Sequence, residues 1–177
     1  MFRRLLDIFR RSRSIGAENT DYIPDPFKYL PHKGNQELFA AMRPFYSPEQ
    51  QFGSYNAHPD MEVRLDELAP PKEIIRTGVY GFPVMANAEG LVFAWAKGRW
   101  TIMIKLGEEH REGARKDCGR VNTEYGKGWI EFPAYYASIG PEAVPGPEEL
   151  KARKSEGSKR LQHWIQVAYD EIGNYIK

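Results

Sequence analysis

GLVFAWAKGRWTIMIKL, residues 90–106, stands apart from the polar sequence around it. Two of the chain's four tryptophans, Trp95 and Trp100, flank Lys97-Gly98 inside an otherwise aliphatic run. With Lys97-Gly98 as a two-residue hairpin loop, Ala96 opposes Arg99 and Trp95 opposes Trp100. Phe93 then faces Ile102, and Leu91 faces Ile104. The four-residue loop Asn87–Gly90 sets Ala86 against Leu91, Val84 against Phe93 and Phe82 against Trp95. This register gathers these residues, apart from the Ala96–Arg99 pair, on one heavy apolar face. The opposite face is lighter, with Pro83, Met85, Val92, Ala94, Ala96, Thr101, Met103 and Lys105. A base-stacking platform would carry a rim of Lys and Arg. Leu91, Phe93, Ile102, Ile104 and Leu106 share this face instead, an area that soluble proteins bury. Both tryptophans therefore read as core, paired across the central hairpin.

Around the hairpin the chain predicts an antiparallel β-meander. Val79–Ala86, Leu91–Ala96 and Arg99–Leu106 form its strands, and Trp129–Phe132, closed by Pro133, adds another. The polar segment Gly107–Arg120 predicts a short helix ending near Gly119. Ile139–Pro147 reads as a loop and Pro147 as a helix start. A break is expected at Gly157, with Ser158 capping a second segment. There Leu161, Trp164, Ile165, Ala168, Ile172 and Ile176 follow at helical spacing, a natural cover for the heavy face. Upstream, Asn35 is placed to cap a helix carrying Leu38, Phe39 and Met42, which Pro44 stops. Ser47–Gly53 carries a second helix-start signal. Met61, Val63 and Leu65 alternate as in a short edge strand, and Pro70-Pro71 breaks the chain. The expected class is α+β: an antiparallel sheet of four to six strands, helices mainly on one face, and an N-terminal extension. Residues 35–177 read as a single domain, preceded by residues 1–34 as a basic amphipathic tail and extended linker. Tyr22, Ile23, Phe27, Tyr29 and Leu30 are expected to tack that linker down.

Composition narrows the function classes. The chain has 177 residues, of which 41% are hydrophobic and 28% charged, as in a globular domain with a real core. No apolar run approaches the ~18 residues of a membrane span. One cysteine, Cys118, excludes an internal disulfide framework and fits a reducing cytoplasm. The net charge of +1 is uneven: residues 1–13 carry +4, leaving −3 on the remainder. A slightly acidic body is a poor general binder of phosphates, so a nucleic-acid role would rest on the tail. Phe2, Leu5, Leu6 and Phe9 share a helical face there, which also suits peripheral membrane contact.

The search for chemistry finds no phosphate loop, dinucleotide fingerprint or nucleophile elbow. His32, His58, His110 and His163 have no partner at ligand spacing, so neither a metal nor a cofactor is expected. Cys118, beside Lys116 and Arg120 and eight residues from His110, is the one candidate nucleophile, with no assignable third member. The only basic cluster in the body is Arg111, Arg115, Lys116, Arg120 and Lys127, and it is the candidate partner-binding surface.

The order of motifs resembles the N-terminal domain of the TfoX competence-regulator family and the related YjbR/MmcQ family. The resemblance rests on Gly90, Val92, Phe93 and Ala94 in one strand, and Ile104 and Lys105 in the next. It continues through Gly119, Tyr125, the loop Pro147-Glu148-Glu149-Leu150, and Trp164 with Ala168 in the closing helix. It spans about residues 79–172. It implies a small antiparallel sheet with helices on one face, no cofactor and no catalytic residues. The function expected is a non-enzymatic, cytosolic bacterial regulatory module acting through protein contacts. The alternatives are a DNA-binding regulator using its basic tail, an immunity protein neutralising a bacterial toxin, and a small enzyme using Cys118.

Overall fold

The computed structural model describes residues 23–46, 56–135 and 146–172. The fold is α+β, built on one open antiparallel sheet of six strands in the order β1-β2-β3-β4-β6-β5. The strands are β1 (Ile75–Val79), β2 (Phe82–Ala86), β3 (Val92–Lys97), β4 (Thr101–Lys105), β5 (Arg120–Val121) and β6 (Trp129–Pro133). The helices among the described residues are α1 (Gln36–Met42), α2 (Pro59–Leu68), α3 (Arg111–Lys116) and α4 (Pro147–Ile172).

The meander is present, with a different register. Lys97 pairs with Thr101, Ala96 with Ile102, Trp95 with Met103 and Ala94 with Ile104. The connection is therefore the three residues Gly98-Arg99-Trp100, not a two-residue loop. Residues 56–58 explain why: Gly98 N donates to Asn56 O and His58 N to Gly98 O, both at 2.7 Å, which holds Gly98 as a side bridge. The extra residue moves the register by an odd number, so Trp95 and Trp100 are not a cross-strand pair. Trp95 is fully buried and Trp100 is 66% exposed.

A second irregularity splits the expected heavy face. Met85 pairs with Ala94 but Ala86 with Val92, leaving Phe93 as an extra, bulged residue. A bulge puts two successive residues against one and reverses the alternation beyond it. Leu91, Phe93, Ala94, Ala96, Met85, Ile102 and Ile104 accordingly lie on one face. Phe82, Val84, Ala86, Val92, Trp95 and Met103 lie on the other. Both faces are buried, which no simple in/out alternation would produce.

The first face receives α2, α3 and α4. Leu161, Trp164, Ile165, Ala168 and Ile172 of α4 pack there as the spacing predicts; Ile176 lies outside the described residues. The helix runs unbroken through Gly157, against expectation. Ser158 does not cap a new segment; its hydroxyl donates to Lys154 O and accepts from Arg64 Nη2 at 2.8 Å. Residues 59–68 are helical, not an edge strand. Pro59 occupies the first turn, and the His58 ring accepts from Asp60 N. Met61, Leu65 and Leu68 then point inward at helical spacing, while Val63 is exposed. Arg64 locks α2 to its neighbours: Nε donates to Ala134 O at 3.0 Å, and its guanidinium lies 5.3 Å from the Tyr135 ring centroid.

The second face is covered by the N-terminal extension. Leu30, Leu38, Phe39 and Met42 close over Trp95, Tyr125 and Trp129. Trp95 is ringed edge-on by Tyr125 at 4.6 Å, Phe82 at 5.2 Å and Trp129 at 6.2 Å. Burial, with Glu124 nearby, pushes the Tyr125 phenol up to about 12, so it stays neutral in this cluster. Of the five residues expected to tack the linker down, Leu30 is fully buried, Phe27 is half-buried, Ile23 and Tyr29 are exposed, and Tyr22 lies outside the described residues. Asn35 does not cap α1 with its side chain. It is buried, donating from Nδ2 to Gly90 O at 2.7 Å and to Leu30 O at 3.4 Å, and accepting at Oδ1 from Val92 N at 2.9 Å.

Val79–Ala86 is not one strand. Tyr80 and Gly81, at φ 49° and 83°, form a tight turn that pairs Val79 with Phe82. The two positive φ values are those of the turn that best matches strand twist. β1 is thus drawn from Ile75–Val79, just after the Pro70-Pro71 break. The short β5 was also unforeseen. The basic tail of residues 1–13, the helix signal at Ser47–Gly53, and residues 139–145 of the loop expected at Ile139–Pro147 lie outside the described residues.

Candidate functional site

The five basic residues Arg111, Arg115, Lys116, Arg120 and Lys127 sit in different settings. Arg111 is largely covered, with Nη1 4.0 Å from the exposed Glu108. Lys116 reaches Glu112 at 3.3 Å on the surface of α3. Arg115 and Arg120 do come together, lining an open groove of about 690 Å³ with Cys118, Gly119 and Val121. Lys127 sits in the turn before β6, where its backbone amide donates to Glu37 of α1, which packs on the other side of the sheet.

The groove follows from the way α3 ends. Asp117 N reaches back to Gly113 O and Ala114 O, and Gly119 N donates to Ala114 O at 2.7 Å. Cys118, between them, takes φ 67°, a left-handed conformation that favours glycine. Its side chain is exposed. Trp164 secures the turn from α4, its indole N–H donating to Asp117 at 3.1 Å. Gly113 makes room for that ring, since a Cβ there would lie 3.0 Å from Trp164. The groove thus presents an exposed thiol between two guanidiniums.

The surface that sequence reasoning missed is the tip of the β3–β4 hairpin. Trp100 stands 66% exposed beside the exposed Arg99, its ring edge-on to Tyr135 at 5.9 Å. The backbone beneath it is held on both sides. Gly98 is bonded to residues 56 and 58, and Ala134 N donates to Trp100 O at 2.6 Å. Tyr135 is held in turn by Arg64, whose guanidinium lies over its ring. An exposed tryptophan on a pinned backbone loses little further freedom on binding. The signal in the sequence was Trp100 next to Arg99 and a glycine, which suits a hairpin tip as well as a strand.

No helix among the described residues is long and apolar enough to cross a membrane. Compared with protein-family models, curated proteins and solved structures, the chain matches none.

Proposed function

We propose that this protein is a non-enzymatic interaction or regulatory module that works by protein contact, with Trp100 as the anchor of its binding surface. The carrying observation is the exposure of Trp100 on a hairpin tip whose backbone is pinned by Gly98 and Ala134. Tryptophan and arginine dominate the energetics of protein interfaces, and Trp100 with Arg99 supplies both in adjacent positions. The two buried faces of the sheet support the same reading, because they commit Phe82, Phe93, Trp95, Trp129, Phe132 and Trp164 to the core. The TfoX/YjbR resemblance supports a regulatory role.

A photo-crosslinking residue at position 100 tests the proposal in cells of the source organism. A discrete protein adduct is expected, absent with the same residue at Val63, an equally exposed apolar position on α2. Trp100→Ala should lower partner recovery at least ~10-fold, as loss of a central anchor of about 2 kcal/mol does. Equal crosslinking from positions 63 and 100, with partner recovery unchanged by Trp100→Ala, would contradict it.

A further inference from the structure

We propose that Glu109, His110 and Glu171 form a binding site for one divalent cation of the Zn²⁺ type. Glu109 and His110 belong to a 3₁₀ turn, Glu108–His110, that leads into α3, and Glu171 sits in the last turn of α4. The fold brings together residues more than sixty positions apart, which is why spacing alone gave His110 no partner. One oxygen or nitrogen from each of the three lies within 4.8 Å of the others.

Two further observations aim these donors at a common point. Glu171 is mostly covered, and its two oxygens differ. Gly107 N donates to Oε2 at 2.9 Å, fixing the carboxylate. Oε1 is buried and faces His110 Nε2 at 2.8 Å. A backbone amide that orients one carboxylate oxygen and leaves the other turned to the imidazole is the outer support metal ligands characteristically receive. Gly107 provides the second observation. A Cβ there would lie 2.7 Å from Glu109 Oε2 and 2.9 Å from Glu171 Oε1. The missing side chain lets two carboxylates converge beside one imidazole, an arrangement whose mutual repulsion a dication relieves. One imidazole nitrogen with two carboxylates favours Zn²⁺ and its transition-metal neighbours over Mg²⁺ or Ca²⁺, which prefer all-oxygen sets. Three protein ligands leave a coordination position for water or a partner's side chain.

The alternative is a plain His110–Glu171 ion pair. Full-length protein carrying Cys118→Ser, which removes the only thiol, is stripped with chelator and titrated with Zn²⁺ by calorimetry and thermal melting. One Zn²⁺ per chain is expected, with a melting temperature that rises with its concentration. Glu109→Gln, at an exposed position, should weaken binding at least ~10-fold without altering the metal-free melt, and His110→Ala should do the same to binding. Gly107→Ala, at φ −60°, keeps an ordinary backbone while pushing the carboxylates apart, and should also weaken it. Absence of a stoichiometric ion, or an affinity unchanged from the parent protein in Glu109→Gln and His110→Ala, would overturn the proposal in favour of the ion pair.

Discussion

Trp95→Ala will cost about 3–5 kcal/mol of stability, while Trp100→Ala, five residues away, will change it by no more than about 0.5 kcal/mol. Trp95 has no exposed surface and touches Phe82, Tyr125 and Trp129. Removing its indole leaves a cavity between β3 and the N-terminal extension that neither layer can close. Its N–H is buried without a partner, so Trp95→Phe should cost clearly less than Trp95→Ala, because it keeps an aromatic ring and removes an unsatisfied donor. Trp100 fills no internal space. Paired urea melts of the variants measure the difference directly.

Asn35→Ala should cost on the order of 2–4 kcal/mol, although it deletes only a small side chain. The amide is 1% exposed and bonds both ends of the turn into β3: Gly90 O, and Val92 N beside the bulged Phe93. Alanine leaves two buried backbone groups without partners, at about 1–3 kcal/mol each. Asn35→Asp keeps the acceptor for Val92 N but sets a carboxylate against the Gly90 and Leu30 carbonyls, and should be no better tolerated. Leu30 and α1 depend on the same residue, so loss of Asn35 should also speed backbone amide exchange across residues 30–42, read by mass spectrometry. Fast exchange confined to residues 90–92 would mean that Asn35 serves the turn alone.

Much of this architecture was legible where burial and periodicity agree. The stripe Leu161, Trp164, Ile165, Ala168, Ile172 has one helical reading, and it covers the sheet as expected. The strands at 92–97, 101–105 and 129–133 announce themselves by continuous apolar runs. The register did not follow from the same residues. When both faces of a sheet are buried, alternation no longer marks inside from outside, and a one-residue change of loop is not penalised by pattern. Here the bulge at Phe93 and the bridge at Gly98 set the register, and both depend on hydrogen bonds to distant segments, the Asn35 side chain and the backbone of residues 56–58. The helix at 59–68 was hidden because Met61, Val63 and Leu65 mimic a strand until Leu68 and the His58-Pro59 start are weighed with them.

The candidate sites were less legible, for a related reason. Arg115 and Arg120 were visible as a local basic cluster, and the turn at Cys118 does bring them to one groove. Trp100 read as core because aromatic residues in an apolar run usually are; only the three-residue loop turns it outward. Glu171 is an unremarkable acid at the end of an amphipathic helix until α4 crosses the sheet and sets it against His110.

Hydroxyl-radical footprinting of the native protein separates a buried Trp95 from an exposed Trp100, since it reports all four tryptophans in one experiment. Rapid oxidation of Trp100, slow oxidation of Trp95, Trp129 and Trp164, and loss of Trp100 reactivity when a partner binds are expected. Equal protection of Trp95 and Trp100 in the free protein would restore the two-residue hairpin, with both rings inside, and would remove the proposed contact surface.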